Sequence, residues 1–353
     1  MHNKVGTDRR RVRSKPMAEI SLHEYVKELR DLIEQGRYDE VVAHGRYILE
    51  HYPKYLEIYR VLGEAMLEAG QDDQAEDMFR RTLSGDPENY VAYAGMSVIH
   101  DRRGDLERAL WYMERAFELT PENKAIRTEL RRLYGRKTGV EPGRLELTRA
   151  ALARVHARGG LYPRAIEEFR ALLKEDPRRV DLRVALAEAL WRNEQWVQAE
   201  EAALEVLDAL PFCLKAHLIL GEIYHRTGRE EAEEHLRAAQ ALDPENRVAA
   251  ALFEERSPLP VQEVRLPRLE YTPSEEERPA WAVAVEAPST ELDALERPIE
   301  IPAWLEEVTA GGPPPEEEAA EEEAGIEVPS WLVEEPSAEA PPPSAEEAAP
   351  EPA

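Results

Sequence analysis

The chain has 353 residues, a formal net charge of −27, 27 prolines and one cysteine, Cys213. A single cysteine excludes an internal disulfide framework and any multi-cysteine metal site, and no apolar run approaches the roughly 18 to 20 residues of a membrane span. The charge is uneven, because residues 257–353 hold 25 acidic residues against 4 basic ones, together with 18 of the prolines.

In chain order, residues 1–19 form a basic arm with Lys4, Arg9, Arg10, Arg11, Arg13 and Lys15 against Asp8. The amphipathic stretch from Met17, "MAEISLHEYVKELRDL", has no apolar signal core. A cytoplasmic chain without membrane insertion is expected, with Met1 or Met17 as its start. Prolines then fall at 53, 87 and 121 and again at 177 and 211, in steps of 34 within each run, and Pro244 follows 33 after Pro211. Glycines at 36, 70 and 104 repeat the same step. Such periodicity defines six units, 22–55, 56–89, 90–123, 146–179, 180–213 and 214–246.

Each unit reads as helix, turn, helix. In the second, Tyr59, Leu62, Met66 and Leu67 give one apolar face at helical spacing, and Ala75, Phe79 and Thr82 open another. Asp86-Pro87 ends the second helix, since the residue before proline leaves the α region. Small residues recur at the eighth place of a unit (Gly63, Ser97, Ala153, Ala187, Gly221) and at the twentieth (Ala75, Ala109, Ala165, Ala199), where they let paired helices approach closely. Neither helix covers its apolar face alone, so the units must stack.

Between Pro121 and Pro177 the spacing is one unit plus 22 residues. The extra piece holds one helix and a loop marked by Gly135, Gly139, Pro142 and Gly143. "PENKAIRTELRRLYGR" here and "PENRVAAALFEERSP" after the sixth unit both read as single closing helices, as repeat arrays need at their ends. The expected organisation is therefore a first triplet with capping helix at 20–135, a loop at 136–145, a second triplet with capping helix at 146–256, and a disordered acidic tail at 257–353. One continuous superhelix with an inserted helix is the alternative.

Leu62-Gly63, Met66, Gly70, Ala75, Phe79 and Pro87, with their counterparts in the other units, resemble the tetratricopeptide repeat family over about residues 20–246. The first unit departs from the pattern at Val41 and Gly45. The resemblance implies an all-α solenoid of helical hairpins that binds peptides or partner proteins in a groove lined by the first helix of each unit. By position, the first triplet would contribute Val26, Arg30, Ile33, Arg60, Glu64, Leu67, Ala94, Val98, Asp101 and Arg102. The second would contribute Ala150, Arg154, Arg158, Val184, Glu188, Trp191, Arg192, Leu218, Glu222, His225 and Arg226. The clamp that chaperone-binding members use for a terminal carboxylate falls here on Val26, Arg30, Val61, Val91 and Gly95, so that ligand is not expected.

No motif for catalysis, metal or cofactor stands out. The nine histidines are scattered, His100 and His156 fall at packed helix positions, and no phosphate loop or strand is evident. A non-enzymatic chain with no cofactor is expected. Arg102, Arg158, Arg192 and Arg226 share one groove-edge place, and Lys124 to Arg158 holds ten basic residues against three acidic. That pattern reads either as solvated helix faces or as a stripe for an acidic partner. Nucleic acid is disfavoured, because body and tail are both net negative.

The tail repeats one motif: Pro279-Ala280-Trp281, Pro302-Ala303-Trp304-Leu305 and Pro329-Ser330-Trp331-Leu332. Proline suits the first turn of a helix, and tryptophan is enriched at binding hot spots. The motifs are expected to dock on another protein or to fold back on the chain's own groove. A regulatory subunit of an enzyme or envelope-assembly complex, recruited through the tail, is the second reading. The sequence names neither partner nor oligomeric state.

Overall fold

The computed structural model describes residues 19–271. Six helical hairpins follow in order: α1 (Leu22–Glu34) with α2 (Tyr38–His51), α3 (Leu56–Glu68) with α4 (Asp72–Gly85), and α5 (Tyr90–Arg102) with α6 (Leu106–Leu119). A single helix, α7 (Lys124–Thr138), comes next. The second set is α8 (Arg149–Arg158) with α9 (Tyr162–Glu175), α10 (Val180–Arg192) with α11 (Trp196–Ala209), and α12 (Leu214–Thr227) with α13 (Ala232–Leu242). The short α14 (Arg247–Phe253) closes it.

The turns explain the period. Gly70 adopts φ +71° immediately after α3, a left-handed value that costs glycine nothing, and Gly36, Gly104, Gly160 and Gly228 do the same in their units. The fifth unit puts Glu194 in that place at φ 58°. Between hairpins, Asn89 and Asn123 accept the exposed amides of the next helix as N-caps. Phe79 of α4 is fully buried between Gly63 of α3 and Gly95 of α5, where an added Cβ would meet its ring at 2.6 and 2.3 Å. Small residues and large rings thus interlock hairpin with hairpin.

α7 packs Ile126, Leu130 and Leu133 into the core of the first set. Gly139, at φ 82°, then ends it. The connecting loop therefore runs from 139 to 148 rather than from 136 to 145. The second set doubles back along the first. Thr148 and Arg179 reach Glu118 at the end of α6, at 3.1 and 2.6 Å. Arg154 and Lys215 share Glu88 in the α4–α5 turn. Lys54, before α3, lies 5.0 Å over the Phe212 ring. Last, the His23 amide of α1 lies 3.4 Å from Glu245 in the turn after α13.

Two expectations change here. Strands do occur: β1 (Glu19–Ser21) pairs antiparallel with β2 (Arg265–Pro267), with Ile20 opposite Leu266. The tail expected from residue 257 begins as an ordered strap to residue 271. Leu266 is 3% exposed in the first hairpin's core. The Val264 carbonyl accepts from Leu22, and the Leu269 amide donates to the Tyr25 hydroxyl. Six apolar or aromatic residues in the strap (Leu259, Val261, Val264, Leu266, Leu269, Tyr271) supply what its charge and prolines concealed. The basic arm through Ala18 and the three tryptophan motifs lie outside the described residues.

Candidate protein-binding cleft

The groove positions of the first set are largely filled from within. Val26, Ile33, Leu67, Ala94 and Val98 are buried. Arg30 and Arg60 both bind Glu57, and Arg60 continues to the fully buried Glu64. Burial opposes the Glu57 charge, but Arg60 and Arg30 draw its pKa down to about 2. Arg102 donates to the Leu67 carbonyl at 3.0 Å and to Asp72 at 2.8 Å.

In the second set, Ala150, Val184 and Leu218 are buried core. The far end is covered by α14. Trp191 packs edge-on against Phe253, with ring centroids 4.9 Å apart, and donates its indole N–H to Glu222 at 2.8 Å. Arg226 binds Glu222 and lies over the Trp196 ring, while His225 is exposed.

Four predicted positions do come together around open space. Arg154, Arg158, Glu188 and Arg192 line a cleft of about 450 Å³ with Tyr162, Ala185, Ala189 and Lys215. Leu119 and Glu88 enter it from the first set. At its floor Arg154 is 7% exposed and bonds Glu88 and Asp181, yet its buried Nε has no acceptor among the described residues. A buried donor without a partner is costly. Burial opposes the charges of Glu188 and Lys215. Even so, Lys215 and Arg192 draw the Glu188 pKa down to about 2, and Glu188 with Glu88 holds the ammonium above its ordinary value. The cleft therefore has fixed charges and an apolar wall.

Glu88, Leu119, Tyr162 and Lys215 were not predicted as lining. Glu88 and Leu119 enter because the chain doubles back, and nothing in a 34-residue period says which turn meets which helix. The arginines of the expected stripe are each paired: Arg102 with Asp72, Arg158 with Glu122, Arg192 with Glu188 and Arg226 with Glu222. Within the basic stretch, Arg132 and Arg136 bind Asp101, and Arg149 binds Glu168 and Glu175. His100 stacks on Tyr112 at 5.2 Å and His156 is buried. Burial pushes the Cys213 thiol up to about 12, which leaves it unreactive at neutral pH. Among the described residues no cluster of three metal-ligating side chains occurs, and no helix is long and apolar enough to cross a membrane.

One family profile described as tetratricopeptide repeat matches residues 32–97, and another of the same description matches residues 150–212 and 184–247. The chain is a tetratricopeptide repeat protein. Arrays of this family are modules for protein–protein interaction, and that is the general role of this fold. No curated protein matches the repeat protein's sequence. Among solved structures it is similar to MamA of AMB-1, at 20% identity over 52% of this chain and 96% of that one, with a TM-score of 0.25. It is also similar to the TPR domain of P58(IPK), at 18% identity over 66% and 65%, TM-score 0.30. A tetratricopeptide repeat protein from Parabacteroides merdae aligns at 16% identity over 65% and 96%, TM-score 0.31. At these scores the likenesses say nothing about a ligand.

Proposed function

We propose that this repeat protein is a non-catalytic adaptor that binds an extended segment of a partner protein in the cleft between α8, α10 and the α4–α5 turn. The observation that carries the reading is the cleft itself, where Arg158 and Tyr162 stand with the apolar Leu119, Ala185 and Ala189 around about 450 Å³ of open space. A main-chain segment of the partner would lie along that apolar wall. Arg158 at the rim and the Tyr162 ring on the wall would hold flanking groups. The tail motifs around Trp281, Trp304 and Trp331 act as docking segments, with tryptophan as the anchor.

Burial of one Trp and one Leu contributes on the order of 4 to 6 kcal/mol. Ordering the segment costs about 2 to 5 kcal/mol. A single motif therefore binds weakly, and repetition supplies avidity. The adaptor reading is tested by affinity capture with the full chain and its Arg158→Glu variant. Arg158 and Glu122 are both exposed, so the fold should be indifferent to the change. Loss of captured proteins supports the cleft, and an unchanged set rejects it.

A further inference from the structure

In five of the six hairpins the eighth place of the first helix is small, the first hairpin having Leu29 there, and the second helix seats against it. Ser97 donates its hydroxyl to the Ala109 carbonyl at 2.7 Å. A Cβ added to Gly63 would meet the Phe79 ring at 2.6 Å, and one added to Gly221 would meet Leu236 at 2.6 Å. α7 begins a further unit but is followed by a loop, so it has no second helix. Its eighth place holds Arg131.

Arg127, Arg131, Tyr134 and Thr138 follow at steps of four, three and four, and so share the face that would receive the second helix. Arg132 and Arg136 on the neighbouring face are held by Asp101. Arg127 and Arg131 make no ion pair among the described residues. Tyr134 and Thr138 of the same face line a cleft of about 330 Å³ between α6, α7 and the 139–148 loop. Its apolar lining includes Phe117, Leu130, Tyr134, Val140 and Leu145. Val140 is 74% exposed. Glu114 and Glu146 also border the cleft, and Glu114 accepts the Tyr134 hydroxyl at 2.7 Å.

We propose that residues 299–308 of this chain, "IEIPAWLEEV", dock in this vacant seat as a short helix and supply the partner that α7 lacks. Pro302 begins the helix, where its missing N–H is no loss. Trp304 and Leu305 fill the apolar wall, and Glu306 and Glu307 meet Arg127 and Arg131. The concave cleft is a poorer host, because its cations already have carboxylates. Reach is sufficient, since the 33 residues from Tyr271 to Trp304 span roughly 30 Å as a coil and about 110 Å extended. At an effective concentration on the order of 1 mM, a motif with a dissociation constant on the order of 100 µM is about nine-tenths docked. The inference rests on reading the tryptophan motifs as docking segments and is independent of what fills the concave cleft.

Hydrogen exchange on the full chain tests it. In a Trp304→Ala/Leu305→Ala variant, which leaves the repeat body unaltered, amides of residues 130–145 should exchange roughly tenfold faster. Arg127→Glu/Arg131→Glu should give the same loss, and a synthetic peptide of residues 297–310 should restore protection to the tail variant. Arg158→Glu should leave protection unchanged, which separates this idea from the adaptor reading. Unchanged exchange in the tail variant overturns the proposal. Protection that disappears on dilution from about 100 to 1 µM overturns it for the same chain and assigns the seat to a second copy.

Discussion

Glu88, in the turn between α4 and α5, holds the ammonium of Lys215, 127 residues further along the chain. The same carboxylate holds Arg154, so one turn of the first set anchors two helices of the second. Glu88→Ala leaves two largely buried cations short of a counter-charge. The expected loss is about 2 to 4 kcal/mol, read as a lower urea midpoint. A midpoint within error of the parent would mean that the two sets are held together elsewhere.

Glu188 gives the array an acid-sensitive joint. Its pKa is about 2 in the folded chain, below the ordinary carboxylate value. Its contribution is therefore fully present above the unfolded pKa of about 4.3 and is lost as pH falls toward 2. Glu188→Gln should be less stable than the parent at pH 7 by on the order of 2 to 3 kcal/mol, with the difference closing between about pH 5 and 2. Thermal melts across that range would show it, and a pH-independent gap would contradict it.

Glu194 occupies the left-handed turn position that glycine fills in the other units. Glu194→Gly removes that strain and should stabilise by about 0.5 to 1 kcal/mol. The measurement is again the urea midpoint, and a fall would show that the Glu194 side chain has a use that the turn does not reveal.

The strap should matter locally. Leu266→Ala empties a buried seat beside α1 and should cost about 2 to 4 kcal/mol there. Amide exchange should rise in α1 and α2 and stay unchanged in α10 and α11.

The hairpins, their small-residue contacts and the break after Pro121 were legible in the sequence, because apolar period and turn residues act locally. Arg154, Arg158, Glu188 and Arg192 were expected as lining only through the family resemblance, by their places in the unit. What the sequence hid is the doubling back. Glu88 meets Lys215 only through tertiary packing, and that packing buries Arg154 while leaving its Nε without an acceptor. The strap was hidden for a compositional reason. Its apolar residues are interspersed with prolines and charges at no clear period, and pairing with β1 gives Leu266 its place.

Selection of a displayed random-peptide library on the full chain tests the adaptor reading most directly. The account predicts enriched peptides with a shared acidic position that cross-link near Arg158 and Tyr162 and lose at least tenfold in affinity, about 1.4 kcal/mol, on Arg158→Glu/Tyr162→Ala. Peptides that bind the variant as well as the parent, or that cross-link only to the outer helices, would contradict it.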